Sequence, residues 1–177
     1  MMCVERLGKV ASQALNGVMF HTDMTDLFDF LSLKGFYLWQ KHQLDEELEN
    51  LNYIKHYAFT KHHMFLKIEN SNDLPKVIPS SWLEHSALEA TAAEVASSVK
   101  TALETYWSYE CKVADEIKAL AEGAEGTDKN LICEYHTEVC KEIMHLEQMI
   151  MALKSTNFDS LHIQIMSKEL CDKYKNK

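Results

Sequence analysis

VKTALETYWSYECKVADEIKALA, residues 99–121, decides how the rest of the chain is read. Its apolar residues Val99, Leu103, Tyr106, Val113, Ile117 and Leu120 recur at three- and four-residue spacing, which predicts a helix with one buried stripe. Glu110 falls at the centre of that stripe. A carboxylate taken out of water is costly unless it is paired, hydrogen-bonded or bound to a metal. Two other segments repeat the pattern. Leu44, Leu48, Leu51, Ile54, Ala58, Phe65 and Leu66 form a second stripe, with His62 near its C-terminal end. Phe20, Leu27, Phe30, Leu31 and Leu38 form a third, with Lys34 between its last two members. Three stripes with a polar group in each predict a helix bundle with a polar cluster, or a former metal site, in its core.

The totals agree with this. A length of 177 residues suffices for one domain with a real core. Gly (5) and Pro (2) are scarce, which favours long helices over a sheet-rich fold. A formal net charge of −9 argues against nucleic acid as a partner and is compatible with cations. No stretch has the roughly 20 consecutive apolar residues of a membrane span. The first twenty residues show no secretory h-region, so a cytoplasmic location is expected, or a secreted one if the sequence is a mature form. The five cysteines follow no CxxC or zinc spacing. Four sit in helical pattern, where they read as small core or interface residues, and Cys3 near the terminus is free to cross-link subunits.

Along the chain, a first helix is expected from about Ser12 to Lys41, leaving 1–11 as an N-terminal extension. A turn at Gln43–Asp45 leads to a second helix, about Glu46–Glu69. Pro75 and Pro79 keep the following segment extended, and 80–97 is either crossover or an early start of the third helix. That helix ends at Glu122–Gly126; Thr127 or Asp128 caps a fourth, to about Lys154, and a short fifth helix spans 160–174. Two helices, a long crossover and two more helices fit a four-helix bundle in which the second and third run parallel.

With that order in place, residues 103–110 (LETYWSYE), 127–134 (TDKNLICE) and 48–51 (LENL) resemble ferritin segments: the third helix with its metal-binding Glu, the turn into the fourth helix, and the opening of the second. The resemblance covers most of the chain and implies one ferritin-like domain over 1–177, all-α, with a short fifth helix lining the fourfold axis of a 24-subunit shell. Catalytic members oxidise Fe(II) at a dinuclear site built from a Glu on each of two helices and Glu-x-x-His motifs on the others. Carried over, the first-helix Glu falls on or beside Leu27, next to Asp26, and the neighbouring Tyr on Lys34. The second-helix Glu and His fall near His62 and Phe65, the third-helix Glu on Glu110, and the fourth-helix acid on Glu142 or Ile143. Glu142 and His145 also read as Glu-x-x-His.

The resemblance therefore implies a light-chain-like subunit that stores ferric iron in a hollow cage, homo-oligomeric or mixed with a catalytic heavy-type subunit, with its oxidation centre degenerate. Lys34, His62 and Glu110 are expected as a buried structural network. Glu110, Glu142 and His62 are a remnant metal site, and Glu134 and Glu138 line a threefold channel. The missing ligands argue against enzymatic activity. Two other readings stay open: a ferroxidase with an atypical Glu/His site, and a ferritin-fold structural protein with no iron role.

Overall fold

The computed structural model describes residues 3–84, 86 and 89–176. Five α-helices carry the fold: α1 (Cys3–Phe30), α2 (Lys34–His62), α3 (Ala92–Glu122), α4 (Gly126–Ser155) and α5 (Ser160–Tyr174). There is no strand among the described residues. The long segment between α2 and α3 includes a 3₁₀ turn, Ser80–Leu83.

The sequence reading placed the first interhelical turn too late. α1 ends at Phe30 and α2 begins at Lys34, not near Glu46. The stop is a Schellman arrangement: Leu33 N–H donates to Phe28 O (2.9 Å), Ser32 N–H donates to Asp29 O (2.9 Å), and Ser32 takes φ 57. Glycine usually fills that left-handed position. Here a serine does, flanked by the buried Leu31 and Leu33, with no glycine or proline at the break to mark it. At the other end, α1 starts earlier than expected. Residues 3–11, assigned to an N-terminal extension, are helical, and Leu7, Val10 and Ala11 are fully buried; Met1 and Met2 lie outside the described residues. The third helix begins about two turns before its apolar stripe, because Thr91 and Glu94 form a capping box. Asp128 lies inside the first turn of α4 and does not cap it.

Contacts at the helix ends set the topology. Tyr57 and His62, late in α2, bond Asp128 at the start of α4, while Arg6 lies against Gly123 at the end of α3. One end of the bundle thus holds the starts of α1 and α4 and the finishes of α2 and α3, so α2 and α3 run parallel. The crossover returns along α1. Glu69 N–H donates to Ser12 Oγ (2.9 Å) and Ser71 N–H to Asn16 Oδ1 (2.8 Å). At the far end, Trp82 stacks edge-on to Phe30 and its Nε1–H donates to Ser98 Oγ (2.9 Å). An aromatic layer fills the middle: Phe20 stacks on Tyr109 at 4.4 Å, and fully buried Trp39 and Tyr106 lie 5.8 Å apart.

α5 docks on the beginning of α2 with no clearance. Gly35 N–H donates to Ser167 Oγ (3.1 Å), and a Cβ on Gly35 would fall 1.6 Å from Ser167 O. Gly35→Ala is therefore expected to force α5 away and cost about 1–3 kcal/mol. Thermal unfolding, with amide exchange localised to α5, checks this; an unchanged melting temperature would contradict the tight docking.

Candidate metal centre

Parallel α2 and α3 bring Glu47 and Glu110 into the bundle interior together, and α4 adds Glu142. The three line one cavity of about 460 Å³ with His21 from α1 and His145 from α4. Glu110 is 5% exposed and has no hydrogen bond or cationic partner among the described residues. Glu47 is reachable from the cavity, but protein surrounds its carboxyl densely. It accepts a hydrogen bond from the Tyr135 hydroxyl (2.9 Å). Glu142 Oε1 is buried without a hydrogen-bond partner, and the nearest basic group, His145 Nδ1, stands 3.8 Å away. The buried hydroxyls of Tyr106 and Tyr109 also lack partners.

The electrostatics follow from this crowding. Burial, aided by the neighbouring Glu46 charge, pushes the Glu47 carboxyl up to about 8 despite the Tyr135 hydrogen bond. Burial, then the charges of Glu47 and Glu142, pushes Glu110 well above the usual carboxylate range. His21 is buried with Nδ1 2.8 Å from Gln40 Oε1, and burial lowers it to about 4, so it is neutral at pH 7. Three convergent carboxylates, orphaned buried polar atoms and a neutral imidazole fit a divalent cation held mainly by oxygen.

They do not fit the complete dinuclear plan. On α1 the residue facing Glu47 is Gly17: a Cβ there would lie 2.9 Å from Glu47 Cγ. One turn along α2 from Glu47, where that plan places a His, the cavity is lined by Asn50. Val139 lines the α4 wall one turn before Glu142.

The expected site residues are distributed differently. Glu110 and Glu142 line the same cavity. His62 is not with them: it ends α2, with Nε2 3.1 Å from Asp128 Oδ1. Lys34 is exposed, the first residue of α2, beside Asp29, Ser32 and Tyr37. The buried network of Lys34, His62 and Glu110 is therefore corrected, because it assumed that Lys34 lay within the first helix. Leu27 is a core residue and Asp26 is exposed, so neither stands opposite Glu47. Phe65 lies past the end of α2 and is 88% exposed. Glu134 and Glu138 are exposed on α4, and Glu138 pairs with Lys141 at 2.7 Å. The residue that sequence reasoning missed is Glu47. Its signal was the spacing of Glu47 and Asn50 on one helical face, passed over because the second-helix ligands were placed about four turns further on, near His62 and Phe65.

No family model and no curated protein matches this chain. Solved structures do. An open-pore ferritin from the hyperthermophilic archaeon Archaeoglobus fulgidus superposes with a TM-score of 0.75 at 20% identity, covering 95% of this chain and 94% of that one. A closed form of that ferritin, engineered by site-directed mutagenesis, gives 0.72 at 20% identity over 95% and 93%. A humanized archaeal ferritin gives 0.73 at 22% identity over 95% and 94%. The chain has the ferritin-like fold: an all-α four-helix bundle with a long crossover and a short fifth helix.

The carboxylate cluster sets a pH response. Glu47 keeps a proton that the unfolded chain releases near 4.5, so the stability it contributes is complete below that value and is lost as pH rises through about 8. His21 acts at lower pH: the unfolded chain takes a proton near 6.5 that the fold resists until about 4, so stability is lost as pH falls across that interval. The metal-free protein is therefore expected to lose thermal stability between pH 6.5 and 8. Glu47→Gln should flatten this decline, raising the melting temperature at pH 8 by roughly 2–4 °C for each kcal/mol of repulsion relieved. Calorimetry at the two pH values checks it; parallel declines in both proteins would contradict the assignment.

Proposed function

We propose that this chain is an iron-storage subunit of ferritin type whose oxidation centre is degenerate. It builds a hollow shell, holds one divalent cation among Glu47, Glu110 and Glu142, and leaves rapid Fe(II) oxidation to a heavy-type partner subunit. The observation that carries this reading is Gly17 opposite Glu47. A second iron needs a carboxylate from that side, and Asn50 supplies no imidazole in its place. Reducing dioxygen by two electrons requires two Fe(II) held together, each giving one electron. A one-ion site cannot supply both.

The ferritin neighbours and the ferritin-like fold support storage as the role and a symmetric cage as the assembly, with 24 subunits as the proposed count. The net charge of −9 favours Fe(II) collecting near the shell, and Glu134 and Glu138 are the proposed acids of its entry channel. No described helix is long and apolar enough to cross a membrane, and we place the protein in the cytoplasm as part of the same proposal.

One observation favours the second reading, an atypical ferroxidase: the cavity that holds Glu47, Glu110 and Glu142 is also lined by Glu46, Glu49 and Glu138. The two readings separate in one experiment. Anaerobic titration of the assembled protein with Fe(II) is expected to show one intrabundle ion per chain, lost in Glu110→Gln. Stopped-flow oxidation is expected to be no faster than in buffer and unchanged in Glu110→Ala. Two ions per chain, with fast saturable oxidation that disappears in Glu110→Ala, would establish the ferroxidase instead.

A further inference from the structure

Separate from the carboxylate cavity, three helix ends meet where α1 and α4 begin. Cys3 opens α1, His62 closes α2 and Asp128 sits in the first turn of α4. One ligand atom from each lies within 4.8 Å of the other two. His62 Nε2 is 3.1 Å from Asp128 Oδ1, and the Cys3 thiol donates to the other carboxylate oxygen. Asp128 is buried, while Cys3 and His62 are half-buried, so the group is enclosed but reachable from solvent. Tyr57 (2.6 Å) and Lys61 (2.9 Å) also donate to Asp128 Oδ1.

We propose that Cys3, His62 and Asp128 form a binding site for a borderline divalent cation of the zinc type. The ligand set is the reason. A thiolate, an imidazole and a carboxylate suit zinc-class ions better than hard ions, which prefer all-oxygen sites such as the Glu47–Glu110–Glu142 cavity. Tetrahedral bonds of about 2.0–2.3 Å place ligand atoms roughly 3.3–3.8 Å apart, so the three groups, already within 4.8 Å of one another, need only small side-chain shifts to surround an ion. Three protein ligands leave such an ion one position for water.

The charges balance. Before binding, the Asp128 carboxylate is offset by the Lys61 ammonium, whose side chain is 38% exposed and free to swing outward. On binding, the Cys3 S–H bond breaks, its proton leaves to solvent, and the sulfur electron pair forms the bond to the cation. The dication then faces one thiolate and one carboxylate, so the site stays neutral. No electron transfer is involved. The ion would fasten the beginnings of α1 and α4 to the end of α2, replacing hydrogen bonds with bonds to a common centre.

Cobalt(II) added to the reduced, assembled full-length protein tests this. The expected result is a near-ultraviolet thiolate-to-cobalt charge-transfer band that saturates at one equivalent per chain and is displaced by Zn(II). It should vanish in Cys3→Ser, which keeps a hydroxyl donor to Asp128 and so preserves the fold. His62→Gln should weaken binding about tenfold or more, and Lys61→Met should tighten it by removing the competing ammonium. Glu110→Gln should leave the band unchanged, which separates this site from the carboxylate cavity. No band in the wild-type protein, or a band that survives Cys3→Ser, overturns the proposal.

Discussion

The parallel run of α2 and α3 is the constraint on which the rest depends. A short turn between them would have made them antiparallel and separated Glu47 from Glu110. The chain instead spends residues 63–91 on a return along α1. Closing so long a loop costs entropy, although only logarithmically in its length. Hydrogen bonds to Ser12, Asn16 and Ser98 and the buried Val77 hold the segment against the bundle. With the return fixed, Glu47 and Glu110 on parallel helices and Glu142 on α4 line one cavity, and the Tyr135 hydroxyl bonds Glu47.

That arrangement is unfavourable on its own terms. Like charges in a crowded interior hold protons that they would give up in water, and each buried group without a partner costs free energy. The surrounding aromatic layer supplies the compensation: stacked rings and a fully buried Trp39 bury enough apolar surface to hold the polar centre in place. At the end of the bundle the logic is reversed. Burial would raise the Asp128 carboxyl, but hydrogen bonds from Cys3, Tyr57, Lys61 and His62 outweigh it and hold the group well below its ordinary range. One anion is satisfied by donors from two helices, α1 and α2; Glu47, Glu110 and Glu142 share a cavity with few.

Much of the fold was legible in the residues. The stripe around Glu110 gave α3 and its buried carboxylate, and the short apolar face after Asp159 gave α5, whose cap that residue provides through Leu161 and His162 N–H. The α1–α2 turn was not legible, because Ser32 adopts the left-handed conformation without glycine and its flanks Leu31 and Leu33 are core residues. That one boundary carried the site error with it. Moving the turn from Gln43–Asp45 to Leu31–Leu33 takes Lys34 out of the interior and sets Glu47 well inside α2, while His62 falls at a helix end because α2 stops there and not at Glu69. Helical periodicity reports which face is buried; it does not report where a helix stops when the stop lacks the usual punctuation. The meeting of Cys3, His62 and Asp128 was beyond sequence reading altogether, since the three are far apart in the chain and only the topology joins them.

Gly17 also has a genetic side. Glycine codons ending in a purine become glutamate codons by changing one base, and an asparagine codon becomes a histidine codon in the same way. Of the two positions that separate this cavity from the dinuclear plan, Asn50 is thus one nucleotide step from His, and Gly17 one step from a carboxylate, Glu or Asp according to its codon. The absent first-helix side chain also leaves Glu47 the space into which it leans. The difference from the dinuclear plan is therefore shallow in sequence space, and could be crossed in either direction while the helices and the crossover stay the same.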